Sequence, residues 1–138
     1  MKDLGLAKKI LGSLTYEMIS SRPDLAHSMS VINRFMSNPG KTHWKTSKLV
    51  MRYIKSSVNK GLLYSKSDDS VDTIVGYVDS DYAIDSDRRR SLTLYVFILF
   101  GNTISWKSTL QSVVTLSSTE VEYMALADVT KESVWLKG

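Results

Sequence analysis

The stretch I-V-G-Y-V-D-S-D at Ile74–Asp81 determines how the second half of this chain is expected to fold. A short run of β-branched and aromatic residues leads there into two carboxylates, a pattern typical of a strand that ends in acidic residues. Because successive strand side chains point to opposite faces, Asp79 and Asp81 lie on one face and Val78 on the other. The strand is therefore predicted to hold a carboxylate at its end.

A second acidic stretch, S-S-T-E-V-E-Y-M-A at Ser117–Ala125, opens a helical pattern further along the chain. The pairing of Ser117 with Glu120 is one capping box that starts a helix. The alternative capping box pairs Thr119 with Glu122. Glu120 and Glu122 lie about 200° apart around a helix, so they do not face one site. Glu120 is interpreted as a helix cap, whereas Glu122 lies one turn into an apolar stretch.

A strand-end carboxylate beside a helix-borne carboxylate is suited to binding a hard divalent cation. We therefore interpret Asp79 and Glu122 as candidate ligands of one metal site. In the alternative interpretation, Asp79 is a surface residue at a strand end and Glu122 is a helix cap. The residues alone leave both interpretations open.

Composition is that of an ordinary globular protein, with 43% hydrophobic and 23% charged residues among 138. The chain contains no cysteine, which excludes disulfides and thiolate metal sites. No apolar run is long enough to span a membrane, and the first residues lack the apolar core of a signal peptide. We therefore expect an intracellular protein without a membrane partner, in an unspecified compartment.

The net charge of +4 is divided unevenly along the chain. Residues 1–60 carry eleven Lys and Arg against three Asp and Glu, whereas residues 61–138 carry seven against eleven. A basic half beside an acidic half indicates phosphate binding next to a metal site, and scattered solvated charge is the alternative. The candidate nucleic-acid-binding residues are Lys45, Lys48, Arg52, Arg88, Arg89 and Arg90.

Apolar residues recur at mostly helical spacing through residues 1–60. One helix is predicted over residues 1–20, a second begins at Pro23, and a third covers about Thr42 to Lys55. The turn Asn38-Pro39-Gly40 separates the last two, and its glycine is expected to accept a positive φ. Residues 1–60 are therefore predicted to form a unit of about three helices.

The polar segment Ser56–Asp72 is the predicted boundary, interrupted by a short strand at Leu62–Tyr64. Three further strands are expected, at Thr73–Asp79, Ser91–Phe100 and Thr103–Lys107. The charged segment Ser80–Arg90 is a predicted loop, and Gly101 is expected at the first position of a hairpin turn. A terminal helix to about Leu136 completes an α+β fold, a three-strand meander with one packed helix.

Several ordered stretches resemble the copia-type retrotransposon Pol polyprotein over essentially the whole chain. They are G-S-L-T-Y at 12–16, S-R-P-D-L-A-H at 21–27, R-F-M-S-N-P-G-K-T-H-W at 34–44, R-Y-I-K at 52–55, G-Y-V-D-S-D-Y-A at 76–83, D-R-R-R-S at 87–91, I-S-W-K-S-T-L-Q at 104–111 and L-S-S-T-E-V-E-Y-M-A at 116–125. The resemblance implies that residues 1–60 are a helical segment like the reverse transcriptase thumb and connection. It implies that residues 73–138 are a truncated ribonuclease H-like domain.

The resemblance also implies an activity. A ribonuclease H domain begins with a three-strand meander of a mixed sheet and continues into a helix, which is the order expected here. By resemblance, Asp79 is the first-strand carboxylate and Glu122 the helix carboxylate, both catalytic and both ligands of Mg²⁺. The implied reaction is hydrolysis of the RNA strand of an RNA–DNA hybrid with two Mg²⁺ ions. The implied partners are that hybrid and the remainder of the Pol polyprotein.

The family's later catalytic carboxylates are not found before the chain ends at Trp135–Gly138. We therefore expect an incomplete ribonuclease H-like sheet, weak Mg²⁺ binding and no cleavage by this chain alone. One alternative is an active ribonuclease H that another segment completes. The other alternative is a non-catalytic nucleic-acid-binding or interaction module that uses the basic third helix.

Overall fold

The computed structural model of the chain describes residues 2–36, 38, 40–66, 73–85 and 89–138. The elements are α1 (Lys2–Ser20), a 3₁₀ helix (Pro23–Leu25), α2 (Ala26–Arg34), α3 (Lys41–Ser56), β1 (Ile74–Asp85), β2 (Arg90–Leu99), β3 (Asn102–Leu110) and α4 (Ser118–Lys137). The predicted α+β class is confirmed, and the chain divides into two compact units, residues 1–63 and 64–138. Among the described residues, no helix is long and apolar enough to cross a membrane.

Buried apolar side chains from the helices form the core of the first unit: Leu11, Leu25, Met29, Ile32 and Val50. Leu25, Met29 and Ile32 follow the spacing of a single helical face, which explains why α2 buries one side. Leu14 and Met18 pack against this core from α1. The first unit is therefore held together by the apolar stripes of three helices.

The turn before α3 differs from its prediction. Gly40 has φ −83° and ψ 176°, so its backbone is extended and does not use a positive φ. Its N–H donates a hydrogen bond of 2.9 Å to Nδ1 of His43, which closes the first turn of α3. Pro39 lies outside the described residues. The glycine thus acts as the N-cap of α3 through its backbone.

A mostly buried arginine, Arg22, connects the 3₁₀ helix to the residue that follows α3. The Arg22 guanidinium donates to both carboxylate oxygens of Asp24, at 2.9 and 2.8 Å. It also donates to the carbonyl and hydroxyl oxygens of Ser57, at 3.2 and 2.9 Å. The Tyr53 hydroxyl donates to the same Asp24 carboxylate at 2.8 Å. These hydrogen bonds, chiefly those from Arg22, lower the pKa of Asp24 to about 2.

The three strands form an antiparallel sheet in the order β1-β2-β3, so the predicted meander is confirmed. The predicted short strand at Leu62–Tyr64 is wrong, because those residues are irregular. The Tyr64 hydroxyl instead donates to the carbonyl oxygen of Thr103 at 2.8 Å, which connects Tyr64 to β3 through its side chain. The sequence therefore predicted backbone pairing at Tyr64, where the structure has a side-chain hydrogen bond.

The predicted loop at Ser80–Arg90 is also wrong over its first half. β1 continues through Asp81, which pairs with β2, and the register shifts before Asp85. Within this irregularity Ala83 has φ 49°, and its N–H donates to the Ser91 hydroxyl oxygen at 3.1 Å. Pairing with β2 overrides the turn-like composition of the acidic residues, as tertiary context often does in strands. Asp79 therefore lies within a strand and not at its end.

The turn between β2 and β3 is shifted by one residue from its prediction. Leu99 pairs with Asn102, which leaves Phe100 and Gly101 as the two central residues. Their φ angles are 52° and 76°, and a type I′ hairpin turn requires a positive φ at both positions. Gly101 therefore occupies the second turn position, and Phe100 takes the first.

α4 packs on one face of the sheet through the buried residues Val121 and Ala125. The side chain of Gln111 connects the helix to that face, because its Nε2 donates to the hydroxyl oxygen of Thr93 and to the carbonyl oxygen of Val121, both at 3.0 Å. The side of the sheet that carries Thr93 is therefore the side that α4 covers. Phe97 lies on the same side, and Gly76 leaves room for its ring, since a Cβ there would be 2.7 Å from Phe97 Cε1.

A candidate carboxylate site beside β1 and α4

Strand pairing assigns each residue of β1 to a face of the sheet. Ser80 is paired with Thr93, so Ser80 lies on the face that α4 covers. Asp79 is paired with Leu94, and alternation therefore places it on the opposite face. Asp79 is exposed, and its Oδ1 accepts a hydrogen bond of 2.8 Å from the Ser80 N–H. This local bond turns the carboxylate back toward the backbone of its own strand.

Glu122 lies on the flank of α4. It follows the buried Val121 and is therefore about 100° round the helix from the residue that faces the sheet. The helix is capped by Ser117, whose hydroxyl oxygen accepts from the Glu120 N–H at 3.2 Å. The Glu120 carboxylate accepts from the Leu116 N–H at 2.8 Å, one residue before the Ser117 N–H that a capping box would use. Ser117 and Glu120 therefore cap the helix as the first predicted pair, with the return bond shifted by one residue. Glu122 takes no part in this cap.

Asp79 and Glu122 line one pocket of about 270 Å³. Its other lining residues are Val78, Ser80, Ala125 and Leu126. Asp79 lines the pocket from β1, an outer strand of the described sheet, and Glu122 lines it from α4. The structure thus brings the two predicted site residues to the same pocket, although Asp79 lies on the far face of its strand.

These two carboxylates are a partial ligand set. Mg²⁺ prefers near-octahedral oxygen ligation and is usually held by one or two carboxylates together with waters and substrate phosphates. A two-ion site needs more protein oxygens than two carboxylates provide. In the part of the chain that the structure describes, no group of three or more His, Cys, Asp or Glu residues is placed to hold a metal. The described residues therefore do not fit a complete two-ion site.

The candidate nucleic-acid-binding residues lie in both units. Three of them, Lys45, Lys48 and Arg52, are exposed on α3. In the second unit, Arg89 is exposed with φ 51°, and Arg90 is partly buried as the first residue of β2. Arg90 pairs with Asp85 in the strand register, so it is part of the sheet. Arg88 lies outside the described residues.

A polar pocket on the covered face of the sheet was not predicted from the sequence. It measures about 260 Å³ and is lined by Thr93, Tyr95, Lys107, Thr109, Asp128, Lys131 and Glu132. Burial, and then the charge of the Glu132 carboxylate, raise the pKa of Tyr95 to about 12. The Ser105 hydroxyl donates to Glu132 at 3.0 Å. The signal in the sequence is the i, i+4 spacing of Asp128 and Glu132 on one helix.

Known proteins similar to this chain include Pol polyproteins encoded by transposons in plants. The predicted resemblance to a copia-type retrotransposon Pol polyprotein is confirmed by these relatives. It is 45% identical over 127 residues, 92% of its length, to the "Retrovirus-related Pol polyprotein from transposon TNT 1-94" of Nicotiana tabacum. It is 34% identical over 127 residues to the "Retrovirus-related Pol polyprotein from transposon RE2" of Arabidopsis thaliana. The chain spans 9% and 8% of the lengths of these two proteins.

A third relative is much closer to this chain in length. The chain is 44% identical over 126 residues to the "Secreted RxLR effector protein 161" of Plasmopara viticola. The match covers 91% of this chain and 87% of that protein. No protein-family model matches the chain. No solved structure matches it either.

Proposed function

We propose that the second unit supplies part of a ribonuclease H-type active site and that the chain by itself does not cleave RNA–DNA hybrids. The observation that carries this proposal is the pocket that Asp79 and Glu122 share. The order of three antiparallel strands followed by a helix supports it, because ribonuclease H domains of the family begin in this way. The first unit then corresponds to the thumb and connecting helices of the reverse transcriptase.

The number of carboxylates explains the expected inactivity. Asp79 and Glu122 are the acidic residues that line the pocket. Hydrolysis of a phosphodiester with two Mg²⁺ ions requires further oxygen ligands that converge on the same place. The described residues do not supply them, so the proposed activity needs carboxylates from another Pol segment.

The edge of β1 is where such a segment would bind. Among the described strands, β1 pairs only with β2, so its other edge offers unpaired backbone N–H and C=O groups. A strand added there would place its own side chains next to Asp79, on either face of the enlarged sheet. In that arrangement the added strand has side chains on both faces of the sheet. It can therefore place a carboxylate beside Asp79 even though Asp79 lies on the face away from α4.

A complementation assay tests the proposal. The purified 138-residue chain is incubated with a fluorescent RNA–DNA hybrid and Mg²⁺, alone or with the flanking Pol segments of the Nicotiana tabacum relative. We expect no cleavage by the chain alone and cleavage after the segments are added. Asp79→Asn and Glu122→Gln should each lower the complemented rate on the order of 100-fold or more, because metal stabilisation of the transition state is worth several kcal/mol.

Two nearby carboxylates provide matched controls. Asp81 and Glu120 are exposed but are not among the residues that line the pocket. Asp81→Asn and Glu120→Gln should therefore leave the complemented rate close to that of the unmodified chain. Cleavage by the chain alone, or complemented cleavage that survives both Asp79→Asn and Glu122→Gln, would show that the proposal is wrong.

A second candidate function is a free-standing protein without nuclease activity. The similarity to a Plasmopara viticola protein favours it, because this chain covers 87% of that protein and its name describes a secreted effector. In this case the chain acts as a non-catalytic interaction module. The Pol proposal, by contrast, expects an intracellular protein. Cooperative unfolding of the isolated chain, together with failure of every Pol segment to restore cleavage, would favour this candidate.

A further inference from the structure

Four uncharged side chains lie along one side of α4, and all four are exposed. Their spacings of four, three and four residues keep them within about 60° around the helix. The buried residues Val121 and Ala125, which pack on the sheet, lie about 160° round the helix from this side. We call the set the outer stripe: Tyr123, Ala127, Thr130 and Val134.

The outer stripe presents apolar surface to solvent. The Tyr123 side chain is 75% exposed and that of Val134 is 67% exposed, and Leu126 and Trp135 beside the stripe are exposed as well. The Thr130 hydroxyl donates to the carbonyl oxygen of Leu126 at 2.7 Å, so it needs no further acceptor. A helix that is apolar on several sides is normally covered on more than one of them. We therefore expect α4 to have a second packing partner besides the sheet.

The stripe is complementary to itself when two copies of α4 run antiparallel. If a two-fold axis passes midway between Ala127 and Thr130, Ala127 of each copy lies opposite Thr130 of the other. Tyr123 of each copy then lies opposite Val134 of the other, so a large side chain meets a smaller one at both ends. Reciprocal contacts of this kind are those of an interface between identical subunits. The small residues at the centre allow the helix axes to approach to about 8 Å.

Charges at the two ends of α4 favour the same arrangement. Glu120 and Lys137 are exposed, and each lies about 13 Å along the helix from the proposed two-fold axis. Glu120 of each copy therefore comes opposite Lys137 of the other, whereas a parallel pair would bring like charges together. Glu120 accepts from the Leu116 N–H with Oε2, so its Oε1 can accept from the lysine. Charge complementarity thus selects an antiparallel pair.

We propose that the outer stripe is an interface at which two copies of this chain pair through antiparallel α4 helices. The interface lies on the side of α4 away from the sheet and uses neither the edge of β1 nor a metal ion. It therefore goes beyond the nuclease proposal and does not depend on it. A contact along one helix is smaller than a standard interface of about 1,600 Å², so we expect a dissociation constant on the order of 10–100 μM.

Single-cysteine variants of the full chain test this arrangement, because the chain contains no cysteine of its own. Across the proposed axis the Cα atoms of the two Thr130 residues are roughly 6 Å apart, within disulfide range. The two Tyr123 residues, like the two Val134 residues, are roughly 17 Å apart. Under mild oxidation, Thr130→Cys should form a covalent dimer on the order of 10-fold faster than Tyr123→Cys or Val134→Cys. A mixture of these last two variants should form the covalent heterodimer, because their cysteines lie opposite each other.

Exchange of charges tests the interface without changing the stripe. Lys137→Glu and Glu120→Lys each bring like charges together at both ends, so each should weaken self-association on the order of 10-fold in sedimentation velocity. An equimolar mixture of the two variants restores opposite charges at both ends and should form a heterodimer. Lys9→Glu is the matched control, since it makes the same change at an exposed position of α1. It should associate like the unmodified chain.

Each outcome decides the proposal. Fast crosslinking of Thr130→Cys and of the mixed variants, with rescue by charge exchange, supports it. Equal crosslinking of the three single variants would indicate a parallel pair or random collision and would overturn it. A chain that stays monomeric well above the expected dissociation constant, or whose α4 is covered only after a flanking Pol segment is added, would also overturn it. Because Glu120 caps α4, a Glu120→Lys variant that does not fold leaves the decision to Lys137→Glu and the cysteine variants.

Discussion

Phe97→Ala is expected to lower the free energy of unfolding of the second unit by about 3–5 kcal/mol. The Phe97 side chain is 2% exposed and lies on the covered face of the sheet. It packs edge to face against Tyr95, with the ring centroids 5.6 Å apart. Removing the ring takes away this buried apolar surface and leaves a cavity that paired strands close only in part.

Denaturant unfolding with amide exchange of β2 and α4 measures this effect. Tyr123→Ala is the matched control, because Tyr123 is an aromatic residue of the same unit that is 75% exposed. The control should change the unfolding free energy by no more than about 0.5 kcal/mol. A Phe97→Ala variant no less stable than the Tyr123→Ala variant would contradict the packing described for this sheet.

Arg22→Ala is expected to lower the free energy of unfolding of the first unit by about 2–4 kcal/mol. The Arg22 side chain is only 11% exposed and donates to both Asp24 and Ser57. Its removal leaves the Ser57 carbonyl oxygen without this donor and Asp24 without its cation. Arg52→Ala, at an exposed arginine of α3, should have little effect and is the control. Equal destabilisation by the two variants would contradict a structural role for Arg22.

The hydrogen bonds between Arg22 and Asp24 also make the stability of the first unit depend on pH, with a sign that can be stated. The folded pKa of Asp24 is lowered from 3.8 to about 2. The carboxylate therefore adds stability above pH 3.8, and that stability is lost as the pH falls toward about 2. Because the Asp24 side chain is 38% exposed, solvent screening limits the effect to about 1 kcal/mol. Arg22→Ala should remove this part of the acid dependence, and an unchanged acid transition would contradict the assigned cause.

The element order could be predicted because strong local patterns set it. Ser91–Phe100 is a continuous run of apolar and β-branched residues, and the observed strand is Arg90–Leu99. The second half of β1 was missed because pairing across the sheet, which no local pattern reports, keeps Asp81 paired with β2 and pairs Asp85 again after the irregularity at Ala83. The strand predicted at Leu62–Tyr64 was wrong for the opposite reason. Its local pattern favours a strand, but its short apolar run has no strand to pair with among the described residues.

The shared pocket of Asp79 and Glu122 follows from element order, because a helix after a meander packs back across its own sheet. Alternation also places Asp79 and Val78 on opposite faces, as predicted. The face that α4 covers could not be predicted, since it depends on long-range contacts such as that of Gln111 with Thr93. For this reason the sequence did not reveal that Asp79 lies on the face away from α4 although it lines the pocket.

Whether Asp79 and Glu122 bind one ion is decided by Mn²⁺-induced broadening of the backbone amide resonances of the 138-residue chain. Mn²⁺ serves as a paramagnetic probe for a site that takes Mg²⁺, because both ions prefer oxygen ligands. We expect the amides of Asp79, Ser80 and Glu122 to broaden together, and either Asp79→Asn or Glu122→Gln to abolish the broadening of all three. Broadening centred on Asp128 and Glu132, or broadening at Glu122 that Asp79→Asn leaves unchanged, would contradict a shared site.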